Sequence, residues 1–97
     1  MQNTLYAQTP TPGKKGLWVD QTKYRLIEEA ILHVLEDKRS TTFTELVEGV
    51  KTQLIGRFVG SIAWYTTVVK LDMEVRNIIE RVPGATPQQL RLNTKGY

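Results

Sequence analysis

The sequence predicts a small α+β domain that is mostly helical, with three helices followed by a C-terminal β-hairpin and preceded by a short N-terminal strand. The chain has 97 residues, of which 40% are apolar and 24% charged, and this suits a single hydrophobic core. Apolar residues recur at helical spacing in three successive segments. A break that contains proline and glycine then separates two short segments in which apolar and polar residues alternate.

Composition excludes several classes of function. The chain has no cysteine and a single histidine, His33, which excludes disulfide frameworks and metal sites built from several thiolate or imidazole ligands. We therefore expect no metal and no cofactor. A domain this short has little room for a deep catalytic cavity, so we expect a protein that is not an enzyme. The sequence shows neither a membrane-spanning apolar run nor a signal segment, so we expect a cytoplasmic protein without membrane contact.

The N-terminal residues 1–16 are predicted to form a flexible arm, because two prolines and two glycines interrupt a polar segment. Leu17–Val19 is a short run of residues that favour strands. Asp20 follows it and can accept hydrogen bonds from the free N–H groups at the start of a helix. The folded domain is therefore expected to span residues 17–93, with a tail at residues 94–97.

Two amphipathic helices are predicted next. The first spans about residues 21–36, where an apolar stripe runs from Tyr24 to Val34. A polar connection follows. The second helix begins after Thr42, which forms the capping-box pattern with Glu45, in which each residue hydrogen-bonds the backbone N–H of the other.

The third helix is predicted over residues 61–81, the longest segment with an uninterrupted helical pattern. One face repeats large apolar side chains at intervals of four and three residues, so we expect this face at the centre of the core. These residues are Trp64, Val68, Leu71, Val75 and Ile78.

A C-terminal hairpin is predicted from two strand-forming runs, Ile79–Val82 and Leu90–Leu92, which the Pro-Gly-Ala-Thr-Pro segment at residues 83–87 separates. Three helices followed by such a hairpin is the order of a winged helix-turn-helix domain, in which the hairpin is the wing. The net charge of +3 permits nucleic-acid binding without requiring it.

Several motifs carry a resemblance to a known family. They are Asp20-Gln21-Thr22-Lys23-Tyr24 at the first helix start, Thr42 to Leu46 in the second helix, and Trp64-Tyr65 with Leu71-Asp72-Met73-Glu74 in the third. With the segments at residues 80–84 and 87–92, the chain resembles a family of short uncharacterised bacterial proteins, a winged-helix-like domain of unknown function, over about residues 17–93. The family has no assigned activity, so the resemblance implies the fold and no site residue.

The polar side of the third helix is the predicted DNA-binding surface, because its side chains can donate to phosphate oxygens and base edges. These side chains are Thr66, Thr67, Lys70, Asn77 and Arg81. Further phosphate contacts are expected from Lys14, Lys15, Arg57, Arg91 and Lys95. The leading hypothesis is a transcription-regulator-like protein that binds double-stranded DNA weakly or as a dimer. An ordinary solvated helix face is the alternative, and Glu74 on this side would repel phosphates.

A second apolar strip on the third helix consists of Ile62, Tyr65, Val69 and Met73. Either the helix is covered on both sides, or this strip is the interface of a homodimer or of a complex with another protein. The rival hypothesis is therefore an interaction or homodimerisation module that does not bind DNA and that uses this strip or the acidic face of the first helix. DNA binding requires cations that converge beside an exposed third helix, whereas an interaction module requires a neutral, apolar patch there.

Overall fold

The computed structural model describes residues 3–93, in which an N-terminal pair of strands precedes three helices and a second, three-stranded sheet. The predicted α+β class, with three helices and small antiparallel sheets, is confirmed. The predicted tail at 94–97 lies outside the described residues. The elements are β1 (Thr4–Ala7), β2 (Leu17–Asp20), α1 (Gln21–Lys38), β3 (Ser40–Thr42), α2 (Phe43–Leu54), α3 (Ile62–Val75), β4 (Ile79–Arg81) and β5 (Gln89–Leu92).

The N-terminal strands form an antiparallel hairpin. Leu5 lies opposite Val19 and Tyr6 lies opposite Trp18. Because side chains alternate across a strand, Val19 and Ala7 point into the core and are 4% and 1% exposed. The segment that we expected to be a flexible arm, residues 1–16, thus contributes a paired strand.

Helix α1 begins where the sequence predicts. The Asp20 carboxylate accepts a hydrogen bond from the backbone N–H of Lys23 at 2.9 Å, which confirms it as the N-cap. The apolar stripe lies against α2 and α3, and Tyr24, Ile27 and Ile31 are fully buried. This helix therefore forms the centre of the core.

The capping box of α2 is also confirmed. The hydroxyl of Thr42 accepts from the backbone N–H of Glu45 at 3.2 Å, and the Glu45 carboxylate accepts from the backbone N–H of Thr42 at 3.2 Å. These hydrogen bonds, first the one from the Thr42 backbone, lower the pKa of Glu45. The connection before this helix contains β3, which the sequence analysis did not predict.

The second sheet has the strand order β3-β5-β4, and both pairings are antiparallel. Thr41 lies opposite Leu90 in one pair, and Ile79 lies opposite Leu92 in the other. Ile79 and Leu90 are buried against the helices. The sheet therefore closes one end of the core and joins the connection between α1 and α2 to the C-terminal hairpin.

Helix α3 ends at Val75, so the prediction that it continues to residue 81 is wrong. Asn77 adopts a positive φ of 60°, a conformation that asparagine tolerates better than most residues. The backbone N–H of Ile78 then donates to the carbonyl of Met73 at 3.0 Å, as in a Schellman helix end. Asn77 and Arg81 consequently lie outside the helix, on the turn and on β4.

Candidate functional site

The buried face of α3 differs from the one that its largest apolar side chains predict. Trp64, the centre of the predicted core stripe, is 47% exposed, whereas Thr66, Val69 and Met73 are 0% exposed. Val69 and Met73 pack in the core, which agrees with the alternative that the helix is covered on both sides, and the interface alternative is wrong for these two residues. The prediction that Thr66 faces a DNA groove is wrong for the same reason.

The other two residues of the predicted strip are half-buried. Tyr65 packs between two aromatic rings, with its centroid 5.2 Å from that of Phe58 and 5.0 Å from that of Trp64. Ile62 packs at the edge of the core. Only the outer edges of these side chains are available to a partner.

Lys70 was predicted to face the solvent, and the structure shows it nearly buried. Its Nζ atom lies 2.9 Å from Oε2 of Glu74, and both side chains are about 10% exposed. The ammonium group also lies over the ring of Phe43, 5.6 Å from the centroid. On the other side, Nε of Arg81 lies 2.8 Å from Oε1 of Glu74. Because Glu74 already pairs with both cations, Lys70 is not placed to contact a phosphate.

Three further predicted contacts lie on α3, on the turn that follows it and on β5. Thr67 is exposed on α3, and its hydroxyl donates to the carbonyl of Ala63 at 3.0 Å. Asn77 is exposed on the turn after the helix. On β5, Nε of Arg91 lies 2.7 Å from Oε2 of Glu80 on β4, so this guanidinium is paired within the sheet.

The other predicted cations lie on separate elements. Lys14 and Lys15 are exposed in the loop between β1 and β2, and Arg57 is exposed in the turn between α2 and α3. Lys95 lies outside the described residues. The structure therefore leaves Arg57 as the predicted phosphate contact closest in the chain to the start of α3.

An apolar surface between α2 and α3 was not predicted from the sequence. Ile55 and Val59 in the turn between α2 and α3 are 78% and 80% exposed, and they precede the exposed Ala63 and Trp64 on the first turn of α3. A shallow groove of about 360 Å³ is lined by Ile55, Ala63 and residues 60–62. We call Ile55, Val59, Ala63 and Trp64 the turn surface. The signal in the sequence was two aliphatic residues in a glycine-flanked turn, where polar residues are usual.

Cations border the turn surface, and none of them has a carboxylate oxygen within 3.5 Å among residues 3–93. Nζ of Lys51 lies 3.9 Å from Oε2 of Glu48, a long contact between two exposed side chains. Within the described part of the chain, Arg57 donates one hydrogen bond, to the carbonyl of Gln53 at 3.5 Å. Nζ of Lys23 lies over the rings of Phe58 and Tyr65, 5.8 and 5.6 Å from their centroids. No aspartate or glutamate occurs between residues 49 and 71. The surface is therefore apolar at its centre and positive at its border.

A separate cluster of polar and charged residues, centred on the buried Asp72 and Tyr24, joins the N-terminal hairpin to the helices. Asp72 accepts from the backbone N–H of Gln8 at 2.8 Å, from the hydroxyl of Tyr24, and from Nε of Arg76 at 3.0 Å. Arg76 also reaches Glu28 on α1 at 2.9 Å. Burial, followed by the hydrogen bond to Asp72, raises the pKa of Tyr24 well above its usual value. Because every member has a protein partner, this cluster fits a structural role.

Residues 3–93 contain neither a candidate metal site nor a candidate membrane-spanning helix. No group of three or more histidine, cysteine, aspartate or glutamate side chains there could hold a metal ion. No helix in that range is both long and apolar enough to span a bilayer. His33 is exposed, with Nδ1 3.1 Å from Oε1 of Gln53.

Comparison with known proteins assigns the chain to a family. A protein-family model described as "Family of unknown function (DUF6958)" matches residues 5–90. This range includes α1, α2, α3 and every residue of the turn surface. No curated protein and no solved structure matches the chain.

Proposed function

The chain belongs to the family of unknown function DUF6958, and we propose that it is a winged helix-turn-helix domain that recognises another protein through its turn surface. In this proposal α2 and α3 form the helix-turn-helix, and β4 and β5 form the wing. The partner covers Ile55, Val59 and Trp64. The observation that carries the proposal is the exposure of these three large apolar side chains within one short stretch of the chain, from the end of α2 to the first turn of α3.

Topology supports the winged-helix part of the proposal. A short strand between the first two helices, β3, pairs with the last strand, and the last two strands form a hairpin directly after the third helix. This arrangement joins the wing to the helix-turn-helix through one sheet. The resemblance of the sequence motifs to winged-helix-like proteins points in the same direction.

Exposure of the turn surface supports recognition of a protein. Large apolar side chains that project together from a small domain usually belong to an interface. Fully burying one side chain of the size of Val or Ile gains about 1.5–3 kcal/mol, so a partner that covers Ile55 and Val59 gains a substantial part of its affinity there. Trp64 beside them is of the residue type that most often dominates binding energy.

The outer side of α3 also fits a protein better than DNA. Ala63, Trp64 and Thr67 present a methyl group, an indole and a hydroxyl, and the Thr67 hydroxyl already donates within the helix. The lysine of this helix is paired in the interior. The strongest contacts to phosphates and base edges come from cationic and amide side chains, none of which is exposed on this part of α3.

Site-specific photo-crosslinking in cells that naturally express the chain tests the proposal. A photoreactive amino acid replaces the exposed Val59, and in the control it replaces Lys38, which is exposed at the end of α1. We expect a discrete protease-sensitive adduct at position 59, none at position 38, and loss of the adduct when Trp64→Ser is added. Equal adducts at both positions, or no adduct at position 59, would contradict the proposal.

DNA binding is the second candidate function, favoured by the winged topology and by three cations near the turn. Lys23, Lys51 and Arg57 have no carboxylate within 3.5 Å among the described residues and could neutralise phosphates. In this case Lys51→Glu combined with Arg57→Glu weakens binding to a mixed-sequence duplex and lowers the slope of log affinity against log salt by about 0.9 for each lost phosphate contact. A nuclease-sensitive adduct at position 59 would favour this candidate.

A further inference from the structure

We infer that the segment bound by the turn surface is acidic and amphipathic, with apolar side chains that meet Ile55, Val59 and Trp64 and carboxylates that pair with the bordering cations. This inference rests on the proposed function and specifies the chemistry of the partner. It follows from the charge around the surface, from the pairing state of each cation and from the shape of the groove.

The bordering cations are available to pair with a partner. The contact of Lys51 with Glu48 is 3.9 Å long, and the two side chains are 49% and 69% exposed, so water competes strongly with it. Among the described residues, Arg57 donates one long hydrogen bond, at 3.5 Å to the backbone carbonyl of Gln53, which leaves most of its five donors free for a planar carboxylate. By contrast, Arg76, Arg81 and Arg91 each lie within 3.0 Å of a carboxylate oxygen.

The segment at residues 49–71 carries charge of one sign, and the exposed Glu48 directly before it contacts Lys51. Residues 49–71 carry Lys51, Arg57 and Lys70 and no acid, and Lys70 is neutralised in the interior by Glu74. Carboxylates on a partner therefore meet attraction at the border of the turn surface and no repulsion from that segment. A neutral apolar partner would bury the same side chains but would gain nothing from the cations.

The groove indicates how the partner is anchored. Its lining places the apolar Ile55 and Ala63 beside Lys51 within a volume of about 360 Å³. One apolar side chain of the partner fits such a shallow space while a neighbouring carboxylate reaches the lysine. An amphipathic helix or strand presents this combination at short sequence spacing.

A second copy of the chain is a poorer occupant. In a two-fold symmetric dimer the same patch contacts itself, so Lys51 and Arg57 of one copy would face the same cations of the other. Like charges across an interface oppose association. The acidic outer face of α1, with Glu29 and Glu36, has no exposed large apolar side chain to match the turn surface.

Three synthetic peptides test the inference against the full-length chain. The first is a short helical peptide with leucine and phenylalanine on one face and glutamate on the flanks. The second has glutamine for every glutamate, and the third has serine for every apolar anchor. Trp18→Phe leaves Trp64 as the single tryptophan, so its emission reports contact with the turn surface, and amide shifts map the site.

We expect the acidic amphipathic peptide to shift residues 51–67 and to bind about tenfold more tightly than the glutamine peptide at low salt, a ratio that falls at high salt. Lys51→Glu with Arg57→Glu removes the preference, whereas Lys38→Glu with Arg39→Glu, on exposed residues at the end of α1, retains it.

Equal affinity for the acidic and glutamine peptides at the turn surface would overturn the inference while supporting the proposed function. Absence of shifts at residues 51–67 with every peptide would overturn both. Concentration-dependent dimerisation of the free chain through this surface, or salt-sensitive duplex binding there, would also overturn the inference, because each assigns a different occupant.

Discussion

Nζ of Lys70 and Oε2 of Glu74 lie 2.9 Å apart, and this ion pair removes the only lysine of α3 from the solvent. The pair lies one helical turn apart and is almost fully covered. The helix thereby presents Ala63, Trp64 and Thr67 outward instead of a cation. This relationship supports the proposal that α3 takes part in recognition of a protein rather than of DNA.

Removal of the Lys70 side chain is expected to lower stability. Lys70→Ala leaves a buried carboxylate with one of its two cationic partners, so we expect a loss of about 1–3 kcal/mol in the free energy of unfolding. Lys51→Ala, on an exposed side chain, is the matched control and should change stability by less than about 0.5 kcal/mol. Urea denaturation measures both, and equal effects would contradict the buried position of Lys70.

The difference between the predicted and the observed buried face of α3 leads to a second prediction about stability. Met73 is 0% exposed and Trp64 is 47% exposed, although tryptophan is the larger side chain. We expect Met73→Ala to cost about 2–5 kcal/mol, and Trp64→Ser to cost less than about 1 kcal/mol. Thermal or urea denaturation of the two variants measures the difference. A larger loss of stability for Trp64→Ser than for Met73→Ala would contradict the exposed position of Trp64 and would agree with the core position that the sequence pattern predicts.

The hydrogen bonds to Asp72 are expected to stabilise the packing of the N-terminal hairpin against the helices. Asp72→Asn replaces the acceptor of three hydrogen bonds by an amide whose N–H₂ group faces other donors, so we expect a loss of about 2–4 kcal/mol. Asp37→Asn on an exposed residue is the control. Hydrogen exchange measures the local effect, and the amide of Gln8 should lose protection first. An unchanged Gln8 amide would contradict this role.

The raised pKa of Tyr24 predicts that the folded chain loses stability at alkaline pH. Its pKa is raised from the usual value of 10.0 in the folded chain, so the neutral phenol favours the folded state. That contribution is complete below pH 10.0 and decreases as the pH rises above it, because the unfolded chain releases the proton more readily.

Urea midpoints at neutral and alkaline pH test this dependence. Tyr24→Phe is expected to lose less stability between the two conditions than the natural chain, since the titrating group is gone. Tyr6→Phe, on an exposed tyrosine, should lose as much as the natural chain. If Tyr24→Phe and Tyr6→Phe behave alike, Tyr24 does not carry the effect.

Local features of the fold could be predicted from the sequence, because they depend on neighbouring residues. Asp20 and Lys23 form the N-cap, and Thr42 with Glu45 forms the capping box, as their spacing indicates. The orientation of α3 could not be predicted in this way. Its buried Asp72 is stabilised by donors from residues 48 and 64 positions away in the chain, and no helical periodicity contains that information.

The end of α3 and the exposure of the turn surface also could not be predicted from local sequence patterns. Residues 76–81 continue an apolar pattern that suits a helix, but Asn77 turns the backbone and the chain enters β4, whose pairing partner lies on β5. The exposure of Ile55 and Val59 depends on how α2 and α3 pack. Their apolar character is visible in the sequence, whereas their position outside the core is visible only in the fold.

Parallel titrations of the isotope-labelled chain, one with the acidic amphipathic peptide and one with a mixed-sequence DNA duplex, distinguish protein recognition at the turn surface from DNA recognition. We expect amide shifts over residues 51–67 with the peptide, and no cluster of shifts on α3 and the β4–β5 hairpin with the duplex at low salt. Duplex-induced shifts at Thr67, Asn77 and Arg91 that fade as salt rises, with no response to the peptide, would contradict it.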